Sequence, residues 1–256
     1  MTTPVLAGAV AARVRWRTAT VAGVVDETPG VRTLLLDVPG WPGHRAGQHV
    51  DVRLTAEDGY RAERSYSIAS APEDPQLALT VERLEEGEVS SYLCGELRAG
   101  DVFELRGPIG GYFVWGVQDG GPLFLVAGGS GIVPLMSMLR HRSAMHSTIP
   151  TRLLYSSRRW DEVIYRDELL RLADKDPGLV VTHTITRDAP AEFRGYRRRI
   201  DRAMLEEAGW PSGDAPLTYI CGPTPLVEAV ANEMVALGHD PARVKTERFG
   251  PTGPVE

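Results

Sequence analysis

The rhythm of the chain changes near residue 117, and that change limits what the protein can fold into. Before it, six short segments rich in β-formers follow one another: TATVAGVV, VRTLLLDV, QHVDVRL, RSYSIAS, LALTVERL and DVFELRG. Several alternate apolar and polar residues, and turn clusters such as TPG, GWPGH, EDG and APEDP separate them. This spacing predicts an antiparallel sandwich or barrel. One helical piece, EVSSYLCGEL, interrupts it. After GVQDGGP the pattern becomes strand, loop, helix. PLFLVAGG is followed by GIVPLMSMLRHRSAM, TRLLYSS by VIYRDELLRLADK, LVVTHTI by DRAMLEEAG, and LTYICG by PLVEAVANEMVALG, with RVKTERF as a closing strand. Alternation of this kind predicts a parallel sheet with helices on both faces. The expected organisation is therefore an arm over residues 1–16, an all-β domain over 17–117 and an α/β domain over 118–256.

Composition bounds the function. At 256 residues, 43% hydrophobic and 24% charged, the chain is of ordinary globular make-up. A formal charge of −6 argues against a general nucleic-acid binder. The two cysteines, Cys94 and Cys221, are too few for an iron–sulfur cluster, and no zinc spacing exists. In the N-terminal MTTPVLAGAVAARVRWR, positive charge follows the apolar stretch, the reverse of a secretion signal. No run reaches the length of a membrane helix. The expectation is a cytoplasmic protein, without membrane insertion or a metal site.

Three stretches carry candidate chemistry. In RSYSIAS, strand alternation places Arg64 and Tyr66 on one face and Ser65 and Ser67 on the other; taken alone, a solvent-facing edge strand explains it as well. VAGGSGIVPLMSML sets a glycine-rich turn between a buried strand and a helix, where free N–H groups can receive a phosphate. It is not the GxGxxG fingerprint, and a tight turn accounts for such a run equally. YICGPTPLVEAV repeats the arrangement, with Cys221, Gly222 and Pro223 at the carboxyl end of a strand, where open α/β sheets bind ligands. An inert buried thiol is the other reading of Cys221.

Taken together, RSYS at 64–67, GEVSSYL at 87–93, GGSGIVP at 128–134, YICGP at 219–223 and ERF at 247–249 occur in a telling order. That order resembles the ferredoxin–NADP reductase superfamily, and within it the bacterial oxygenase reductases and flavohaemoglobin reductases. The resemblance implies a six-stranded antiparallel Greek-key β-barrel that binds FAD, followed by an α/β parallel-sheet domain that binds NAD(P). It implies that Arg64 binds the flavin diphosphate, that Tyr66 packs on the isoalloxazine and that Ser67 lies near flavin N5. These roles make physical sense, since guanidinium suits phosphate, a tyrosine ring gives flat apolar contact and a hydroxyl both donates and accepts. It assigns Gly87, Glu88, Val89, Ser90 and Ser91 to the diphosphate, with the hydroxyl of Ser90 or Ser91 assisting their backbone amides. Val81, Glu82 and Arg83 fall beside the ribityl chain.

On the nucleotide side, the resemblance gives Gly129, Ser130, Gly131 and Ile132 to the dinucleotide, and Cys221, with Gly222 and Pro223, to the nicotinamide. Glu247 and Phe249 fall at the flavin face opposite Tyr66. One departure is the tail GPTGPVE after Phe249, which leaves open whether Phe249 or the tail lies on the ring. Ser157, Arg158, Arg187 and Arg199, one of the three arginines at 197–199, are placed to read a 2′-phosphate. They favour NADPH over NADH although Asp161 and Glu162 stand close by. No cysteine-rich domain follows ERF, so electrons are expected to pass to a separate acceptor such as a ferredoxin, an oxygenase or another redox enzyme. Two alternatives remain at this stage: a flavin reductase or diaphorase with small-molecule acceptors, and a non-catalytic flavin-binding subunit.

Overall fold

A computed structural model describes residues 14–249. Six strands form the first sheet: β1 (Trp16–Thr28), β2 (Val31–Asp37), β3 (His49–Thr55), β4 (Arg61–Ser67), β5 (Leu77–Glu82) and β6 (Val102–Ile109). Their spatial order is β4-β3-β6-β1-β2-β5, with every pairing antiparallel. A bridge between Ile68 and Leu79 joins the two ends and closes a barrel. Period-two alternation turns Val50, Val52, Leu34, Leu36, Leu79, Val81, Phe103 and Leu105 inward, all at most 5% exposed. Helix α1 (Glu88–Gly95) stops the barrel by adding Val89 and Leu93 to this core. Each such side chain contributes about 1.5–3 kcal/mol when fully buried.

The second sheet holds β7 (Leu123–Gly128), β8 (Thr151–Arg159), β9 (Leu179–Asp188), β10 (Leu217–Pro223) and β11 (Val244–Phe249), in the order β11-β10-β7-β8-β9 and all parallel. The central strand β7 is buried on both faces, which explains why LFLVAG reads as an unbroken apolar run. Leu123, Leu125, Leu153 and Tyr219 face α2 (Ile132–Ala144) and α3 (Arg166–Lys175). Phe124, Val126, Leu154 and Ile220 face α4 (Arg202–Ala208) and α5 (Thr224–Ala236). The core on the α2 side also takes in Val31, Ala46, Ala69 and Ala78 of the barrel, so the two domains share one continuous apolar seam.

The expected two-domain order holds, with three corrections at element ends. Trp16 belongs to β1 and not to the arm: the guanidinium groups of Arg53 and Arg106 lie 3.9 and 4.8 Å from its ring centroid. The rest of the arm, residues 1–13, lies outside the described residues. The strand expected over 64–70 ends at Ser67, because the backbone of Ala69 and Ser70 turns away to meet the second domain. Helix α3 begins at Arg166 and not at Val163. Val163, Ile164 and Tyr165 are buried, and Tyr165 takes a left-handed conformation (φ 57°) that turns the chain into the helix.

Candidate active site

The carboxyl end of β4 meets the carboxyl ends of β10 and β11. Cys221 and Glu247 are register partners on adjacent parallel strands. The hydroxyl of Ser67, from the barrel, is close enough to the Glu247 carboxyl to lower its pKa in part. Burial is the larger effect and pushes this carboxyl from 4.5 up to about 7. Cys221 is 2% exposed, and burial, then the charge of Glu247, raises its thiol well above the ordinary range. A thiol held neutral in this way is a poor nucleophile.

Two glycine turns frame this point. A β-carbon on Gly131 would overlap the carbonyl of Cys221, and one on Gly128 would lie 2.7 Å from Leu226. Gly129 adopts φ +54°. The turns at 128–131 and 221–223 therefore touch backbone to backbone, while the space beside Gly129 is open. Neither α2 nor α5 has a side-chain cap at its N-terminus, and the buried Thr224 hydroxyl at the start of α5 has no partner. The Ile132 amide already bonds the Gly129 carbonyl, and Pro134 and Pro225 carry no N–H, so only part of each first turn is open to an anion.

On the barrel side, Arg64 is exposed; it donates to the Glu63 carbonyl at 2.7 Å and carries no ion pair among the described residues. Tyr66 packs against the barrel core, and burial raises its phenol pKa. Helix α1 also lacks a side-chain cap at Gly87, where any β-carbon would overlap the Ser90 hydroxyl. That hydroxyl accepts from the Leu84 amide and donates to the Gly87 carbonyl, both at 3.1 Å, and the Ser91 hydroxyl donates to the Leu84 carbonyl at 3.3 Å. In this structure both hydroxyls are engaged in shaping the turn that leads into α1. The side chains of Val81 and Val89 face the core and can offer only backbone. Glu82 and Arg83 are exposed, Ser91 is half-buried, and Glu88 accepts from the Tyr60 hydroxyl at 3.4 Å.

Among the coenzyme candidates, the structure separates tied arginines from untied ones. Arg159 pairs with Asp161 at 3.3 Å and Asp188 at 3.0 Å. Arg198 pairs with Asp201 at 2.6 Å, and Arg197 donates to the Ala189 and Pro190 carbonyls. Arg158, Arg187 and Arg199 are exposed and have no ion pair or hydrogen bond among the described residues. Ser157 is buried with an unpartnered hydroxyl. Beneath these loops lies a cluster that motif reading does not reach. The His183 ring contacts Tyr155 and Trp160 at centroid distances of 5.7 and 5.4 Å, and both its nitrogens are buried without partners. Burial holds its pKa down, at about 4. Phe249 is 36% exposed at the end of β11, in register with Pro223. The tail after it lies outside the described residues.

The orphaned hydroxyls of Ser157 and Thr224, the helix starts without side-chain caps and the open space beside Gly129 fit a protein that holds two dinucleotides. Comparison with known proteins agrees. A family model for the oxidoreductase FAD-binding domain matches residues 28–114, and one for the oxidoreductase NAD-binding domain matches residues 125–232. The glycine betaine monooxygenase reductase subunit of Pseudomonas aeruginosa is 32% identical over 235 residues, covering 90% of this chain and 63% of that protein. The solved structure of the Amycolatopsis cytochrome P450 reductase GcoB is 30% identical with a TM-score of 0.80, covering 94% of this chain and 71% of that one. The flavohaem-like FAD/NAD-binding domain of nitric oxide dioxygenase from Vibrio cholerae shares the fold, with a TM-score of 0.81 at 24% identity and coverage of 92% and 99%. The chain belongs to the ferredoxin–NADP reductase superfamily of FAD- and NAD-binding oxidoreductases. It spans 63% of the length of the curated reductase subunit it matches.

Among the described residues, no helix is long and apolar enough to cross a membrane. The motifs also pass over three polar residues on α2, namely Ser137, Arg140 and His141. The signal for Arg140 and His141 is the run RHR inside a largely apolar, buried helix; nothing in the sequence marks Ser137.

Proposed function

We propose that this protein is an FAD-dependent NAD(P)H reductase that hands electrons to a separate redox protein. A bound flavin supplies hydride acceptance at N5 and one-electron release, which no side chain can provide. The chain's own residues bind, orient and manage protons. Arg64 and the first-turn amides of α1 hold a diphosphate, and Tyr66 offers its ring as a wall. The turns at 128–131 and 221–223 seat the second dinucleotide with Cys221 as its neutral floor. Ser67 and Glu247 stand at the crossing point, where a carboxyl shifted to about 7 can hold or release a proton near neutral pH.

The observation that carries this reading is the convergence of Ser67, Cys221 and Glu247 from two sheets of different domains. For the acceptor, support comes from relatives named as the reductase partners of a monooxygenase and of a cytochrome P450. An oxygenase-type acceptor is therefore favoured over a soluble dye or free flavin. NADPH is favoured over NADH by the three untied arginines Arg158, Arg187 and Arg199. Two buried free thiols accord with a reducing, cytoplasmic setting. Anaerobic mixing of the flavin-loaded protein with NADPH or NADH tests the core of this reading. Rapid bleaching of the flavin absorbance is expected, fastest with NADPH, and a flavin left oxidised by both coenzymes would refute it.

A further inference from the structure

Helix α2 ties the two halves of the site together. Its N-terminus emerges from the glycine turn at 129–131, which touches Cys221. Five to nine residues further on, Ser137, Arg140 and His141 lie at i, i+3 and i+4, on one helix face. All three grip the barrel segment that follows Ser67. Ser137 donates to the Ser70 carbonyl at 2.6 Å, Arg140 donates to the Ala69 carbonyl at 2.8 Å, and the Nδ1 of His141 lies 2.9 and 3.0 Å from the two Glu73 carboxylate oxygens. Ala69 is only two residues beyond Ser67. From Ile132 to Arg140 the helix is a rod of about 12 Å. One end thus rests at the nicotinamide turn and the other at the backbone carrying Ser67.

Arg140 does more than grip Ala69. Its remaining nitrogens fork onto Glu168 of α3 at 2.8 and 2.6 Å, and its guanidinium sits 4.8 Å over the Tyr165 ring. The Tyr165 hydroxyl in turn donates to Thr80 of β5, which shares a hydrogen bond of 2.7 Å with Thr33 of β2. A largely buried ion pair of this kind contributes little net stability, because desolvation offsets its attraction, but it admits one geometry only. Apolar packing alone would let the seam slide.

From this arrangement, and on the reading of the site as a hydride-transfer centre, we infer that Ser137, Arg140 and His141 are positioning residues. They register the nicotinamide turn against the strand bearing Ser67 and so set the distance over which hydride moves, while touching neither dinucleotide.

The test uses the flavin-loaded protein and three variants: Ser137→Ala, Arg140→Lys and Arg140→Met. Flavin content, NADP⁺ and NAD⁺ affinity, and single-turnover flavin reduction by NADPH and NADH, protiated and 4-deuterated, are measured for each. Ser137→Ala and Arg140→Lys are expected to keep flavin and coenzyme affinity but to slow reduction, on the order of ten-fold, since sub-ångström misplacement is enough. Their isotope effects should change with it, and Arg140→Met should be slower than Arg140→Lys. Reduction by dithionite and reoxidation by ferricyanide should match the wild type. Should Arg140→Met fail to fold, the two milder variants decide. An unchanged reduction rate and isotope effect in both, or a rate that falls only in step with lost flavin or coenzyme affinity, overturns the inference. A wild type that neither coenzyme reduces overturns the functional reading beneath it as well, a result distinct from either.

Discussion

Gly131 and Cys221 lie so close that a methyl group on Gly131 would overlap the Cys221 carbonyl. Both sides of this contact are held by backbone, so neither can give cheaply. Gly131→Ala is expected to cost about 1–3 kcal/mol through overpacking. It should also weaken coenzyme binding more than flavin binding, because the displaced turn is the nucleotide one. Thermal unfolding together with titration of NADP⁺ and FAD checks this; equal weakening of both would place the damage elsewhere.

Glu247 and His183 are predicted to pull pH-dependent stability in opposite directions. Burial raises Glu247 from 4.5 to about 7, so the native state binds the extra proton between those values. Its contribution is full below about 4.5 and is lost as pH rises to about 7, a cost of up to roughly 3 kcal/mol. Burial lowers His183 from 6.5 to about 4, so here the unfolded state binds the extra proton. Stability from this group is full above about 6.5 and falls by a similar amount as pH drops to about 4. In the wild type the two largely offset each other. Glu247→Gln should make the protein more acid-sensitive, and His183→Phe more sensitive to rising pH, in urea unfolding near pH 5 and pH 8. Parallel pH profiles for wild type and both variants would contradict this assignment.

Arg64 is exposed and spends one nitrogen on its own neighbour's carbonyl. Arg64→Ala should leave folding intact and weaken flavin retention, on the order of 1.5–3 kcal/mol for a lost charge-assisted contact. The flavin released by heat should have the mass of FAD. Full flavin content in purified Arg64→Ala, or a released cofactor with the mass of FMN, would count against the diphosphate assignment.

For coenzyme choice, Arg159 neutralises Asp161, while Arg158 has no partner among the described residues. Arg158→Ala is expected to raise KM for NADPH and to leave KM for NADH nearly unchanged. An equal effect on both coenzymes would show that Arg158 does not read the 2′-phosphate.

Local signals in the sequence carry the fold and name the candidate site residues. Alternation in QHVDVRL and DVFELRG, the doubly buried run LFLVAG and the glycine turns each state a local preference that the packing keeps. What stays hidden is set by contacts distant in sequence. The grip of Arg140 on Ala69 spans 71 residues, and that of Ser137 on Ser70 spans 67. No local pattern announces them. The bonding of the Ser90 hydroxyl is hidden for a similar reason: a motif names the residue but not the Leu84 amide that it bonds. The helix start at Arg166 shifts because burying Tyr165 against the barrel outweighs the helical period of VIYRDELL. His183 escapes notice because a lone histidine in a strand says nothing about its burial.

The central claim is that hydride crosses between the two domains at Ser67, Cys221 and Glu247, with Cys221 as a floor for the nicotinamide. Single-turnover reduction of flavin-loaded Cys221→Ser at saturating NADPH tests it most directly. The account predicts wild-type flavin content and unfolding together with a slower flavin reduction, because a hydroxyl is smaller and more strongly hydrogen-bonding than the neutral thiol it replaces. A reduction rate equal to that of the wild type would contradict the account and leave Cys221 as a packing residue.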